Sequence, residues 1–351
     1  MVLPVCLMSL AMLNSRALAG LQTPSVRVEA HLGAGLPAFS IVGLPDLEVR
    51  ESRERVRAAI VNSGFEFPAG RVTINLSPGD LPKASSRFDL PIALCILMAS
   101  GQVAPAQATD GLVLVGELSL SGALVPVADA LALALGVARA PEAAVLILPE
   151  ASAAQAARVP GLKVLAARGL AEVAAHLAGL AELPVAQAAA RPPLVAGPCL
   201  SDVRGQPLAR RALEIAAAGG HSLLMCGPPG AGKSMLAQRL PGLLPALDDA
   251  AALEAAAIAR LAGLADPPFG LPPFRSPHHG PPLPRSWVGG RHPGREKSRW
   301  LTKECCFWMS CPNSSAAPCK PCASRWSPVR SAYRARRGDC VFPRGFNWWR
   351  P

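Results

Sequence analysis

A glycine-rich segment of eight residues restricts the fold of this chain more than any other feature. It consists of Gly227, Pro228, Pro229, Gly230, Ala231, Gly232, Lys233 and Ser234, and it fits the pattern G-x-x-x-x-G-K-[ST]. An apolar run at residues 222–226 predicts a buried strand before it, and a predicted helix begins at Lys233. In that context the backbone N–H groups of the loop and of the helix N-terminus face phosphate oxygens. The segment therefore predicts an α/β unit that binds a nucleotide such as ATP.

The last two residues of this loop have distinct expected roles. Lys233 would reach the β- and γ-phosphates, and the Ser234 hydroxyl would ligate Mg²⁺. Hydrolysis needs in addition an acidic residue at the end of a second apolar strand, expected within about 100 residues of the loop. No such strand follows in the sequence. Asp248 and Asp249 precede a predicted helix at residues 250–261 and are interpreted as helix-capping residues.

Residues 21–182 have the succession of short apolar runs and longer amphipathic runs that is typical of a mixed α/β domain. Predicted strands cover residues 26–30, 38–42, 71–76, 112–116 and 144–148, and predicted helices cover residues 46–63, 88–100, 127–138 and 170–180.

The remaining boundaries follow from composition. Residues 1–20 are treated as a separate N-terminal segment, and the lack of a basic residue before their apolar run argues against a secretory signal. Residues 183–201 are rich in Pro and Ala and predict a linker. Residues 202–279 then form the nucleotide-binding unit, with a predicted helix at residues 207–218 ahead of the loop.

The C-terminal part, residues 280–351, has a composition unlike the rest of the chain. It carries all of the formal net charge of +11, all six Trp and most of the Cys. Cys319 and Cys322 have the spacing of half a zinc site, and residues 334–337 resemble a basic nucleic-acid patch, but neither has the further residues that such a site needs. The composition favours an unstructured tail.

The spacing of the Cys residues and the length of the apolar runs indicate the cellular compartment. The Cys residues before position 280 are widely spaced, which is typical of a reduced cytoplasmic protein. No run of about 18 or more apolar residues lacks charges and breakers, so no membrane span is expected.

Several segments together resemble the ComM/YifB group of magnesium-chelatase-like AAA+ ATPases. They lie at residues 15–21, 37–46, 51–59, 62–65, 87–94, 202–206, 227–234 and 274–279. The resemblance covers residues 8–279 and is far more specific than the phosphate loop alone. It implies a Lon-protease-like (S5-like) N-terminal α+β domain followed by a truncated P-loop AAA+ α/β module. Val203, Gly205 and Gln206 would lie beside the adenine, and ATP and Mg²⁺ are the implied cofactors.

The same resemblance implies a function for intact members of the family. They resemble hexameric, ATP-driven motors on DNA, and ComM is linked to branch migration in natural transformation. A magnesium-chelatase-type subunit that remodels a protein complex is the alternative. A third interpretation is a non-enzymatic remnant whose N-terminal domain mediates oligomerisation or partner binding.

The likeness to Lon proteases also raises peptidase activity as an alternative. Lon-type sites use a Ser-Lys pair with the Ser shortly after a Pro-Lys sequence. Here Pro82 and Lys83 are followed by Ser85 and Ser86, and Arg87 stands where the nucleophile would align. The sequence therefore argues against a peptidase.

The family pattern stops after His279 in this frame. The stretch Phe307-Trp308-Met309-Ser310 spells Leu-Asp and then Glu or Val when its codons are read two bases later. Residues 347–351 in the same shifted frame give Leu-Val-Ala, which also fits the family. We therefore hypothesise a single frameshift near codons 279–283. The chain would then lack the acidic strand, the sensor residues and the arginine finger, and it would not hydrolyse ATP.

Overall fold

The computed structural model describes residues 10–43, 46–81, 83, 86–140, 145–189, 197–228, 230–265, 267–275 and 305–306. Its contacts divide the described chain into two units. The first consists of residues 10–189 together with Ala256–Ala265, and the second of residues 197–255 with the described residues from 267 onward.

A seven-stranded mixed sheet forms the centre of the first unit. Its strands are β1 (Leu10–Arg16), β2 (Ser25–Gly33), β3 (Ala38–Val42), β4 (Arg71–Ser77), β5 (Leu112–Leu114), β8 (Val145–Pro149) and β9 (Lys163–Ala167). They are ordered β3-β4-β2-β1-β5-β8-β9. The β1–β2 and β2–β4 pairs are antiparallel, and the other neighbours are parallel. A separate antiparallel hairpin joins β6 (Glu117–Leu118) to β7 (Leu124–Val125).

Burial differs between the two halves of this sheet. Alternate residues of β2 are buried, including Val26, Val28 and Ala30, which is the pattern of a strand with one covered face. In β8 the consecutive residues 146–149 are all buried, which is the pattern of a parallel strand covered on both faces. The parallel half therefore lies between two layers of helix.

Five helices of the first unit supply these layers. They are α1 (Leu47–Asn62), α2 (Asp89–Ala99), α3 (Ala130–Ala138), α4 (Glu150–Ala156) and α5 (Leu170–Leu177). Helix α2 packs on β1 and β2 and is apolar on nearly every side, and residues 90–97 are completely buried. Helix α3 packs against α4 and β8.

The predicted mixed α/β class is confirmed, but the first unit contains more than the sequence indicated. Strand β1, in the segment treated as separate, pairs with both β2 and β5 near the middle of the sheet. The boundary predicted at residue 21 is therefore wrong, because Leu13 and Ala17 are part of the core. Helix α4 and strand β9 were also not predicted. The first residues of the predicted linker lie along β9, with hydrogen bonds from Ala166 N–H to the Pro184 carbonyl and from Ala186 N–H to the Val164 carbonyl.

The second unit is mainly helical where it is described. It contains α6 (Pro207–Gly219), α7 (Lys233–Ala237) and the first part of α8 (Asp249–Leu261), with short 3₁₀ turns at Leu200–Asp202 and Pro241–Leu243. Asp248 accepts a hydrogen bond from Ala251 N–H at 2.6 Å, which confirms its predicted capping role.

The buried strand predicted at residues 222–226 is wrong. These residues have no regular structure, and Leu223 and Leu224 are 39% and 60% exposed. A strand needs a neighbouring strand to satisfy its N–H and C=O groups, and the described residues give this segment no such neighbour.

Little of the predicted unstructured tail can be compared with the structure. Of residues 280–351, only Cys305–Cys306 are described; they form β11 and pair in parallel with β10 (Phe274–Arg275). The other residues of the tail lie outside the described part of the chain, and so do His278 and His279.

Candidate functional site

The glycine-rich loop of the second unit adopts a backbone that depends on its glycines. Gly230 and Gly232 have φ of +81° and +79°, in the left-handed region that other residues rarely adopt. Gly232 lies directly before α7, so the loop leads into a helix as the pattern predicts. Pro229 lies outside the described residues.

Lys233 is the first residue of α7, and its side chain turns back onto the loop. Its Nζ donates hydrogen bonds to the carbonyl oxygens of Gly227 and Pro228, both at 2.8 Å. The ammonium group is therefore already held over the loop, in contact with neutral acceptors. Phosphate oxygens are stronger acceptors for an ammonium than carbonyls are, so the arrangement suits exchange of these bonds for bonds to a nucleotide.

Ser234 follows in the first turn of α7 and is exposed. Its hydroxyl has no hydrogen bond among those described, and it lies one residue from the lysine. A hydroxyl oxygen at this position is a suitable ligand for Mg²⁺ that is shared with a phosphate.

The three residues predicted beside the adenine have different positions. Val203 is buried in a small cluster with Leu200, Leu213 and Leu236, the last of which belongs to α7. Gly205 has a φ of +75°, in the left-handed region that favours glycine. Gln206, itself left-handed with φ of +51°, donates from Nε2 to the Ala231 carbonyl at 2.9 Å. The structure thus brings Gln206 against the loop.

Arg239, which the sequence analysis did not single out, connects α7 to the turn at Leu200–Asp202. Its guanidinium donates to the carbonyls of Cys199 and Met235 at 3.0 and 2.8 Å and lies 3.4 Å from the Asp202 carboxylate. It fixes α7 relative to the segment that contains Val203. Its position in the sequence gave no signal, because its contacts depend on residues about 40 positions earlier.

The Ser-Lys pair of a peptidase is not formed among the described residues. Lys83 is completely buried, and its Nζ donates to the carbonyls of Gly43, at 2.9 Å, and Pro78. Burial lowers the pKa of Lys83. Arg87 forms an ion pair with Asp129, and Ser85 lies outside the described residues.

Neither a metal-binding cluster nor a membrane-spanning helix is found among the described residues. No group of three or more His, Cys, Asp or Glu side chains could hold a metal ion. No helix in this part of the chain has the length and apolar character that a membrane crossing requires.

Two family models and several known proteins match this chain. A family model described as subunit ChlI of Mg-chelatase matches residues 28–152, and a second, described as magnesium chelatase, subunit ChlI, matches residues 199–297. The uncharacterized protein YifB of Salmonella typhimurium is 46% identical over 290 residues, which are 82% of this chain and 56% of that protein. The competence protein ComM of Haemophilus influenzae is 42% identical over 293 residues, 82% of this chain and 57% of that protein.

This chain belongs to the ComM/YifB family of magnesium-chelatase-like proteins. It spans little more than half the length of the curated relatives that it matches. YifB of Escherichia coli, at 44% identity over 289 residues, shows the same coverage.

The match also corrects where the family resemblance ends. The second family model extends to residue 297, 18 positions beyond His279. Val288, Gly289 and Gly290 lie within that match. The family match therefore continues past the codons at which the frameshift was hypothesised.

Proposed function

We propose that this chain binds ATP together with Mg²⁺ at residues 227–234. The observation that carries the proposal is the position of the Lys233 ammonium, held over the glycine-rich loop by two carbonyl oxygens at the start of α7. The donor set fits a nucleotide phosphate, because it combines a lysine, left-handed glycines that open the loop backbone and a hydroxyl in the first helical turn.

Each residue of the site has one role in this proposal. Lys233 exchanges its bonds to Gly227 and Pro228 for bonds to the β- and γ-phosphates. Ser234 holds Mg²⁺, which neutralises phosphate charge when it is bound. Gln206 fixes the loop through the Ala231 carbonyl, and with Val203 and Gly205 it borders the adenine.

We further propose that this 351-residue chain does not turn ATP over. Hydrolysis requires an acidic residue that holds Mg²⁺ and orients the attacking water. The sequence after the loop contains no apolar strand that ends in Asp-Glu in this frame. The shifted frame supplies one, and the extent of the family match supports a frameshift near codon 297. Resequencing the genomic DNA across codons 270–300 tests this. An added or missing base would restore the family's reading frame, whereas an unchanged sequence would mean that the gene itself encodes the 351-residue chain.

For the intact parent we propose an ATP-driven motor on DNA that acts as a hexamer in the cytoplasm, as the likeness to ComM implies. The first unit would be its Lon-protease-like domain, and its mixed sheet with a buried α2 is compatible with that. The alternative is a chelatase-type subunit that remodels a protein complex, which the names of both family models favour. Stimulation of ATP hydrolysis in a full-length homologue by branched DNA would support the motor, and its absence would support the alternative.

The binding proposal is tested with the full chain and a fluorescent ATP analogue in the presence of Mg²⁺. Lys233→Ala should weaken binding about tenfold or more, since a hydrogen bond to a charged group contributes about 1.5–3 kcal/mol. Arg211→Ala is the matched control, because Arg211 is an exposed cation of the same unit that pairs with Glu214 on α6. Equal affinities of the Lys233→Ala variant and the unmodified chain would refute the proposal. ATP hydrolysis that disappears in Lys233→Ala would refute the lack of turnover.

A further inference from the structure

A cavity of about 390 Å³ lies in the first unit. It is lined by Arg87, Glu117 and residues 126–129, together with Arg260 and Leu261 of the same unit. Arg87 belongs to the 3₁₀ turn Ser86–Phe88 that precedes α2, and residues 126–129 connect β7 to α3. The cavity is thus bordered by turns that lead into two core helices.

The backbone positions of these lining residues are fixed. The Arg87 carbonyl accepts a hydrogen bond from Gly116 N–H at 2.9 Å, and the Gly116 carbonyl accepts one from Leu90 N–H at 3.0 Å. On the other side, the Ser152 hydroxyl bonds both the N–H and the carbonyl of Val127, at 2.8 and 3.1 Å. The main-chain groups of Val127 are therefore already satisfied, and the side chains have to determine what the cavity binds.

A buried ion pair in this wall is incompletely satisfied. Arg87 is 7% exposed, and its Nη2 pairs with Oδ2 of Asp129. Nε and Nη1 of Arg87 and Oδ1 of Asp129 are buried and have no hydrogen-bond partner within the described structure. Buried polar groups are normally hydrogen-bonded, so two donors and one acceptor at one cavity indicate a group that is bound there.

The Asp129 side chain does not cap the helix that it precedes. Asp129 is the residue before α3, where an Asp side chain usually accepts a hydrogen bond from the first turn of the helix. Here its side chain makes no such bond and faces Arg87 instead. The helix start therefore keeps its free N–H groups while the carboxylate is held at the cavity.

The charges of the lining and the polar atoms without a hydrogen-bond partner specify the chemistry of the ligand. Arg87 and Asp129 neutralise each other, and the other two charged side chains of the lining, Glu117 and Arg260, are also of opposite sign, so the lining favours a ligand without net charge. The ligand needs an acceptor for the Arg87 N–H groups and a donor for Asp129 Oδ1. Pro126, Val127 and Ala128 add an apolar side. We propose that this cavity binds a neutral amide, with its C=O on Arg87 and its N–H on Asp129, as carried by a peptide main chain or a small carboxamide.

The test uses the full chain and NMR titration with N-acetyl-alanine-N′-methylamide, acetamide, acetate and inorganic phosphate. We expect saturable shifts of resonances around Gly116 and Ala128 with the two amides. Tighter binding of the alanine amide assigns the site to a peptide main chain, and equal binding assigns it to small carboxamides; both support the proposal. Absence of saturation, which means that water alone fills the site, or preferential binding of acetate or phosphate would overturn it.

Two variants separate binding from folding. The double variant Arg87→Met/Asp129→Leu removes both charges at once, so it leaves no unpaired buried ion and should fold. It should lose amide binding at least tenfold, whereas Arg168→Met, which breaks the exposed pair with Glu150 in the same unit, should bind as the unmodified chain does. Unchanged amide binding in the folded double variant would overturn the proposal.

Discussion

Replacing Arg55 by Met should destabilise the first unit, because it leaves the carboxylate of Asp89 buried without its cation. Asp89 is the first residue of α2 and is completely buried. Arg55 of α1 donates to it from Nε at 2.8 Å and from Nη2 at 3.3 Å. The N–H of Leu118 and the Ser52 side chain provide the remaining hydrogen bonds. This pair therefore joins α1, α2 and β6.

The size of the effect follows from this geometry. Removing one partner of a buried ion pair costs about 3–5 kcal/mol, and the bonds from Leu118 and Ser52, which remain, favour the lower end, about 3 kcal/mol. For a unit of this size a loss of about 3 kcal/mol lowers the melting temperature by about 6–12 °C. The double variant Arg55→Met/Asp89→Leu, which removes both charges, should recover most of the loss.

The effect should also depend on pH. Burial raises the pKa of Asp89 above its ordinary value, and Arg55 opposes that rise. Without Arg55 the folded-state pKa of Asp89 rises further, so the folded state binds more protons than the unfolded state. Stability then decreases as the pH rises through the interval between the unfolded and folded pKa values. The variant should therefore regain part of its stability when the pH is lowered from 7 to 5.

Urea denaturation followed by circular dichroism at pH 7 and pH 5 measures both effects. Arg168→Met is the control, because Arg168 and Glu150 form an exposed pair whose loss should cause no resolvable change. The reasoning would be refuted by an Arg55→Met variant as stable as the unmodified chain at pH 7, or by one that loses further stability relative to that chain as the pH falls to 5.

Three smaller perturbations test other parts of the structure. Leu13→Ala should cost about 2–5 kcal/mol in urea denaturation if β1 is a central strand, and an effect below 1 kcal/mol would contradict its burial. Asp248→Ala should cost about 1 kcal/mol through loss of the α8 cap, and Asp248→Asn should retain most of it. Gln206→Ala should weaken binding of the ATP analogue several-fold, because the Ala231 carbonyl loses its donor; unchanged affinity would show that the contact does not hold the loop in its binding form.

The sequence predicted those elements whose signal is local. Strands β2 and β4 were predicted from the alternation of apolar residues along them, helix α1 from its spaced charges, and helix α2 from an apolar run that is too long for a typical strand. Strand β1 was missed because an apolar segment at a chain start has the composition of a leader as well as of a strand. The opposite error occurred at residues 222–226, where an apolar run predicts a strand but its formation depends on neighbouring strands that the local pattern does not reveal.

The same distinction between local signals and long-range contacts applies to the candidate sites. The residues of the phosphate loop were predicted because a fixed spacing of Gly, Lys and Ser carries the chemistry. The contact between Gln206 and Ala231 spans 25 positions and the pair of Arg87 and Asp129 spans 42, so no periodicity connects their partners. Such contacts arise only when separate elements pack together.

The two units differ in the extent of their hydrophobic cores, and this difference affects how stable each is without a ligand. The first has a continuous core around a seven-stranded sheet, so its cavity does not depend on a ligand for its shape. In the second, the described core is a small cluster around Leu213, and other apolar side chains such as Leu208, at 87%, and Leu224, at 60%, are exposed. A ligand that binds only the folded form stabilises that form, by about 2.7 kcal/mol at 100 times its Kd. We therefore expect part of the free energy of nucleotide binding to order the second unit, and the affinity of this chain for ATP to be lower than the contacts of Lys233 and Ser234 alone would give.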